Sequence, residues 1–510
     1  MLEIEPNADD LLLEKMGYKP ELHRGFSGFM NFSFCFTAVS VISGCSLLFP
    51  FGLQTGGPVV MVWGWLLGSV FSTIVGLSMA EICSSYPSAG SVYHWAGMLA
   101  PREWAPISSY LCGWFNFIGN AAGDASFAFG FAQVLTATIA LETDGTVRPG
   151  VGSNVVLAVA VSALWAVKNL MRVDHQGWFN NASAIYQLAS TVVIILTIVI
   201  ASPQLSSASF VFGNYNNETG IESRFYVSCI GLLMCLFSFS GYEGGAHMAE
   251  ETHNAAASAP RGLIYTCLVT AGTGFVYITG LLFACQNTTD VFNGESDYAV
   301  VNVYIKAFTD SAGVHLKTGS VIMTLLLLVN VFCAGFSSLT VTSRIGFAMA
   351  RDRAFPYSHV LHKVHPTTKA PHIVIALVFV LDVLFCLMPL ISQTAFEAIT
   401  SIAAIGFQIS YAIPILLRLT VARNTFIKSE AFNLGRWSLP LGWLAVVWLV
   451  VTSCFFVLPE KYEAGMFWEN FNWTGVVLAL VLLTSLVYWY LPAPMGARHF
   501  FKGPKRTDDN

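Results

Sequence analysis

The chain has 510 residues, of which 11% are charged and 55% hydrophobic, with a mean hydropathy of +0.62. A soluble protein carries about 25% charged residues, so this composition excludes an ordinary soluble globule and points to a polytopic membrane protein whose outer surface faces lipid. A formal net charge of −5 offers no basic field for nucleic acid. Most of the 11 cysteines lie in apolar runs, with no CxxC pair and no Cys/His spacing of a metal site, which reads as buried small hydrophobes and no metal.

Residues 1–25 carry Glu3, Glu5, Asp9, Asp10, Glu14 and Glu21 and lack the basic–apolar–small order of a secretory signal. They predict a short cytosolic segment with an amphipathic turn at Leu11–Met16. A helix needs about 20 apolar residues to cross the roughly 30 Å hydrocarbon core. No Asp, Glu, Lys or Arg occurs between Arg24 and Glu81, and Gly52–Pro58 divides that stretch into spans at 26–51 and 58–80. The same reasoning predicts spans at 105–139, 151–168, 178–201, 224–249, 262–285, 318–345, 372–391, 396–417, 437–458 and 473–491. Twelve spans divide into a set of five (26–203), a second set of five (224–418), a final pair (437–491) and a tail (492–510).

Orientation follows from the basic residues. Of the 25 Lys and Arg, only Arg148, Arg224, Lys306, Lys317 and Lys461 fall on the side opposite the N-terminus. Both termini are therefore expected in the cytosol. The sequons at Asn217, Asn287 and Asn472 fall on or beside loops expected outside, which suits a eukaryotic protein of the plasma membrane or an endomembrane.

Two spans have weak points. The first holds Ser40-Val-Ile-Ser43-Gly44-Cys45-Ser46, and the sixth Ser240-Gly241-Tyr242-Glu243-Gly244-Gly245. Glycine weakens a helix by about 1 kcal/mol, and small residues also serve close helix packing; both readings fit the first span. The shared Ser-Gly opens each five-helix set, where paired discontinuous helices mark a transporter's midplane site. An unwound turn offers N–H groups to a carboxylate and carbonyls to an ammonium.

Three acids stand well inside spans. Intramembrane acids need a partner, a wet cavity or a proton. Glu243 can bind a substrate cation or a proton, or can be a neutral group bonded to backbone. Asp124, in the small-residue run Gly119–Ser126, suits either a substrate or ion contact or a structural hydrogen bond; Asp382 reads as structural. His359, His362 and His365 sit among prolines and read as a solvated loop.

Four segments carry a family resemblance: Ser40–Ser46; Ala80-Glu81 through Tyr86-Pro87 and Gly90 to Tyr93 and Trp95; Gly241-Tyr242-Glu243 through Glu250-Glu251 to Pro260-Arg261; and Ser343-Arg344 through Arg351-Asp352 to Pro356. Over residues 18–490 the chain resembles the amino acid–polyamine–organocation superfamily, in its amino acid/choline transporter branch, and is similar to γ-aminobutyrate permeases. The resemblance implies an all-α fold of 12 transmembrane helices, a five-plus-five inverted repeat with helices one and six discontinuous. It implies substrate contacts from Ser43, Gly44, Cys45, Phe237, Ser240 and Gly241, coupling at Glu243, and intracellular gate charges at Glu81, Arg261 and Arg344. Ser337 and Ser338 fit a sodium site of this fold, so the coupling ion is left as proton or sodium, with no other cofactor. The first break reads Ser-Gly-Cys where many amino-acid permeases have Gly-Ser-Gly.

The expected function is secondary transport of amino acids or related amines, γ-aminobutyrate-like first. Choline or polyamines follow if Asp124 and Glu243 both face the cavity as ions, and a solute sensor without flux stands as the alternative of another class. No nucleophile–base pair marks an enzyme.

Overall fold

A computed structural model describes residues 8–506 apart from 293, 392 and 464–470. Glu3 and Glu5 of the acidic segment, and the last four residues of the tail, lie outside the described residues. The described chain is helical, with only isolated bridges between extended residues.

In chain order, α1 (Ala8–Lys15) precedes α2 (Gly28–Val39) and α3 (Val41–Leu47), which together form the first span. The set continues with α4 (Gly57–Ser85), the short connecting helix α5 (Ser91–Leu99), α6 (Ala105–Glu142), α7 (Val151–Asn169) and α8 (Val173–Ala201). The sixth span comprises α9 (Arg224–Ser238) and the four-residue α10 (Gly244–His247). Then come α11 (Ala255–Ala284), α12 (Ala299–Ala307) in a loop, α13 (Lys317–Arg351), α14 (His372–Leu387), α15 (Gln393–Leu419), α16 (Ser438–Val457) and α17 (Thr474–Tyr490). Ten helical segments are long and apolar enough to cross a membrane, and Arg224–Ser238 and Thr474–Tyr490 are shorter apolar helices; together these match the twelve expected spans.

Composition decides which helices are central. The first span is 89% buried, whereas Val151–Asn169 is 28% buried and exposes Val156, Leu164 and Val167. Such apolar exposure suits lipid, where only the backbone must be satisfied internally. The long α6 and α13 pack against each other, α15 packs on α6, and α4 on α11. Local chemistry sets several starts: Ser27 caps α2 by accepting from the Met30 N–H, and Ser223 does the same for α9 through Tyr226.

The first interruption is not where the Ser-Gly pair suggests. It falls at Ser40, whose φ of 38° lies in the left-handed region, while Ser43, Gly44 and Cys45 are helical within α3. Gly44 instead permits a close crossing: a Cβ there would lie 2.8 Å from Ser238 Oγ and 3.0 Å from Ser238 Cα. Packing explains this glycine, and a single strained serine supplies the break. Ser40 Oγ lies 2.8 Å from Ser43 Oγ, bridging the two half-helices.

In the sixth span α9 stops at Ser238, and Phe239–Glu243 are not helical. Gly241 has φ +87°, and a Cβ there would meet nothing nearer than Phe407 Cζ at 3.9 Å. Backbone conformation, not space, requires glycine here.

Candidate functional site

A small cavity of about 20 Å³ is bordered by the second interruption and by Ala38, two residues before the first. Its walls come from five spans: Ala38 on α2; Asn120, Gly123 and Phe127 on α6; Phe237, Ser240 and Gly241 at the α9 break; Ser338 and Val341 on α13; and Ala403 and Phe407 on α15. None of the described wall residues is ionisable. The volume suits about one water, so a solute enters only if the walls separate.

Glu243 stands one step behind this wall. The Gly241 N–H donates to Tyr411 Oη (3.2 Å), and Tyr411 donates in turn to Glu243 Oε2. Asn116 Nδ2 donates to Glu243 Oε1 at 3.1 Å and lies 3.2 Å from Ser410 Oγ. The carboxyl is fully buried and held by side chains, so it reaches the cavity through Tyr411. Direct capture of a substrate cation by Glu243 does not fit this placement.

Asp124 is buried beside the cavity rather than in its described wall. Its Oδ2 accepts from Thr342 Oγ1 at 2.6 Å, while its neighbours Asn120, Gly123 and Phe127 line the cavity. Its Coulombic neighbour is Asp382, whose Oδ2 accepts from Ser162 Oγ at 2.8 Å. Asp124 lies one helical turn after Asn120 and so borders the cavity face of α6, with Oδ2 held by Thr342 on α13. Asp124 is not itself among the described wall residues, so a direct substrate contact there requires its carboxylate to leave Thr342.

The other expected residues separate into groups. Phe237, Ser240, Gly241 and Ser338 line the cavity; Ser43, Gly44 and Cys45 do not, and Cys45 Sγ lies 3.6 Å from Ser238 Oγ in the α3–α9 contact. Ser337 and Ser338 point apart, because Ser337 Oγ donates to Asn180 Oδ1 on α8 at 2.6 Å. Ser338 lines the cavity while the Ser337 hydroxyl is engaged by α8. Asn116, Asn120, Phe407 and Tyr411 belong to the site and were not anticipated; Asn116 and Asn120, four apart inside an apolar span, were the legible signal.

The end of the bundle carrying both termini is shut by charge pairs. Arg344 Nε lies 2.7 Å from Glu251 Oε1, with Nη2 3.3 Å from Oε2. Arg351 grips Glu250 through both terminal guanidinium nitrogens, Nη1 and Nη2, at 2.9 and 3.0 Å. Burial pushes the Glu250 carboxyl up, but Arg351 outweighs it and the net direction is down. Tyr18 and Tyr93 each donate to Asp352 Oδ2 at 2.9 Å; burial lifts that carboxyl to about 6 despite Arg351 and these donors. The tail joins in, with the Lys505 N–H donating to Tyr18 Oη at 2.9 Å.

The three expected gate charges do not form one cluster. Arg344 pairs with Glu251, whereas Glu81 accepts from Ser438 Oγ and the Leu434 N–H, tying α4 to α16. Arg261 is exposed and forms no ion pair among the described residues. At the opposite end a cavity of about 680 Å³ runs inward past Gln54, Phe51 and Leu47 to Ser46, Phe129 and Leu233. The protein thus has a wide vestibule at one end, a closed seal at the other and the small cavity between.

Such an arrangement fits passage of a solute, and sequence comparison agrees. The amino acid permease family profile matches residues 29–482. This chain belongs to the amino acid permease family. It is similar to the amino-acid permease BAT1 of Arabidopsis thaliana, 38% identical over 98% of this chain and 96% of that protein. A BAT1 homolog of rice is 36% identical over 96% of this chain and 94% of its own length. An uncharacterized amino-acid permease of Schizosaccharomyces pombe is 30% identical over 99% and 91%. The permease is an integral multi-pass membrane transporter rather than an enzyme, and amino acids are its substrate class.

Proposed function

We propose that this permease is a proton-coupled transporter of small zwitterionic amino acids, γ-aminobutyrate-like ones first, working by alternating access. The observation that carries the reading is the cavity beside the Gly241 break and Ala38: its described wall is three phenylalanines, small residues and one amide, with no charged group among them. A zwitterion brings its own compensating charges and needs only peptide groups and hydroxyls to receive them; a polyamine needs buried anions beside it, and choline, which aromatic faces could hold, has no carboxylate for the exposed N–H groups. Phe237, Ser240, Gly241 and Ser338 are assigned to substrate contact, and Glu243, wired to the Gly241 peptide through Tyr411, to the coupling proton.

In this reading the segments 26–203 and 224–418 are the two repeats, both termini are cytosolic and the vestibule opens outside, most simply at the plasma membrane. The Arg344–Glu251 and Arg351–Glu250 pairs then form the intracellular gate, broken when the site opens inward.

The test is uptake of a labelled panel into proteoliposomes under an acid exterior: neutral amino acids including γ-aminobutyrate, lysine, choline and a polyamine. Accumulation of neutral zwitterions that ceases when a protonophore is added is the expected result. Preference for choline or the polyamine would overturn the assignment.

A further inference from the structure

His247 closes α10, one helical turn beyond Glu243, and both side chains are fully buried. Its Nδ1 lies 2.9 Å from the Ala89 carbonyl oxygen, which can only accept, so Nδ1 carries the ring proton. The lone pair is then on Nε2. That atom has no hydrogen-bond partner and stands 4.0 Å from Glu243 Oε1. Buried polar atoms are nearly always partnered, and an imidazole lone pair with nothing to accept, facing an acid at i,i+4, calls for a reason.

We propose that His247 is a proton relay: it takes the proton from Glu243 and hands it towards the face that carries the termini. This rests on the reading of Glu243 as the coupling acid. In the transfer the Glu243 O–H bond breaks and an Nε2–H bond forms, leaving a carboxylate beside an imidazolium. The imidazolium then gives the Nε2 proton to water admitted from the terminal face and returns to its neutral form, with Nδ1 still bonded to Ala89.

The structure supplies the linkage to gate opening. At 4.0 Å the pair is about 1 Å too far apart for a hydrogen bond. The turn that must move is short, opens with Gly244 and Gly245 and is followed two residues on by Glu250 and Glu251, the carboxylates of both gate pairs. Ala89, which holds Nδ1, is itself held through its N–H by Glu250 Oε1 at 3.0 Å. Breaking the Arg351–Glu250 pair therefore frees both ends of the relay together.

The other ionisable groups acting on Glu243 are Cys35 on α2, Cys112 on α6, Cys267 on α11, Tyr411 on α15 and Tyr242 beside it. All are thiols or phenols, uncharged at neutral pH in their ordinary ranges. Arg344 on α13 is engaged by Glu251. His247 is thus the base that faces the carboxyl.

His247→Asn tests this, because an asparagine amide can occupy the Nδ1 position and keep the Ala89 bond while removing Nε2. In proteoliposomes one pH unit across the bilayer sustains about tenfold accumulation per coupled proton. The variant is expected to exchange labelled amino acid as the parent does at equal pH, with a flat pH profile, yet to lose that accumulation. Glu243→Gln should match it, and the double variant should be no worse. Full accumulation by His247→Asn while Glu243→Gln is uncoupled would overturn the relay and leave Glu243 standing. A parent protein whose transport ignores the pH gradient would overturn both. His247→Gln, which lacks a base in either orientation, is expected to behave as His247→Asn; if it alone accumulates solute, the relay is equally overturned.

Discussion

Glu243→Gln is expected to abolish accumulation of amino acid driven by an acid exterior while leaving exchange at equal pH largely intact. The amide can accept from Asn116 and donate to Tyr411 Oη, which still receives the Gly241 N–H, so the wall at the second break keeps its support. What the substitution removes is the proton. Since a one-unit pH difference is worth about 1.4 kcal/mol per proton, roughly a tenfold concentration ratio, the variant should settle near equal concentrations where the parent reaches tenfold. Accumulation and counterflow measured on the same vesicles check this, and undiminished accumulation would reduce Glu243 to a structural role.

The second large effect concerns the seal. Arg344→Met is expected to destabilise the protein severely, because Glu251 is left charged, buried and unpaired. Breaking a buried pair from one side costs about 3–5 kcal/mol, a large share of the 5–15 kcal/mol by which domains are typically stable. Adding Glu251→Met should restore most of the lost Tm, since an apolar replacement of the whole pair is often neutral or better. The double variant should nevertheless fail to hold a gradient, because the gate no longer closes. Thermal unfolding in detergent separates the cases: a double variant as unstable as the single one would contradict this reading. Asp10, about a third exposed in its pair with Arg24, offers a contrast: its replacement by Asn is expected to cost about 1 kcal/mol or less.

Much of the architecture was legible because lipid simplifies the code. Spans such as 151–168 and 437–458 agree with Val151–Asn169 and Ser438–Val457 to within a residue or so, since length and polarity fix them. The sixth-span break was equally readable, as Gly241 has a positive φ that few other residues tolerate. The first break was misplaced because glycine has two uses in membranes: Gly44 serves a close helix crossing, and the left-handed residue is Ser40. Asp124 could not be assigned from sequence because its neighbours on α6 do line the cavity, and only the rotation of that helix decides which way the carboxylate turns. Gate partners are long-range pairings, so Arg344 and Arg351 were visible as charges while Glu250 and Glu251, about a hundred residues earlier, were not visible as their partners.

The most direct test of the account is uptake by Gly123→Leu. Gly123 faces the cavity and a Cβ there would meet nothing within 4 Å; the outer carbons of leucine crowd a space of about 20 Å³ at a cost of about 1–3 kcal/mol, partly offset by about 1 kcal/mol of helix propensity, so the fold should hold with a lowered Tm. The added side chain would overfill the cavity beside Gly241. Loss of all amino-acid uptake by folded protein is the expected result; uptake at the parental rate would mean that solute does not pass between Gly123 and Gly241.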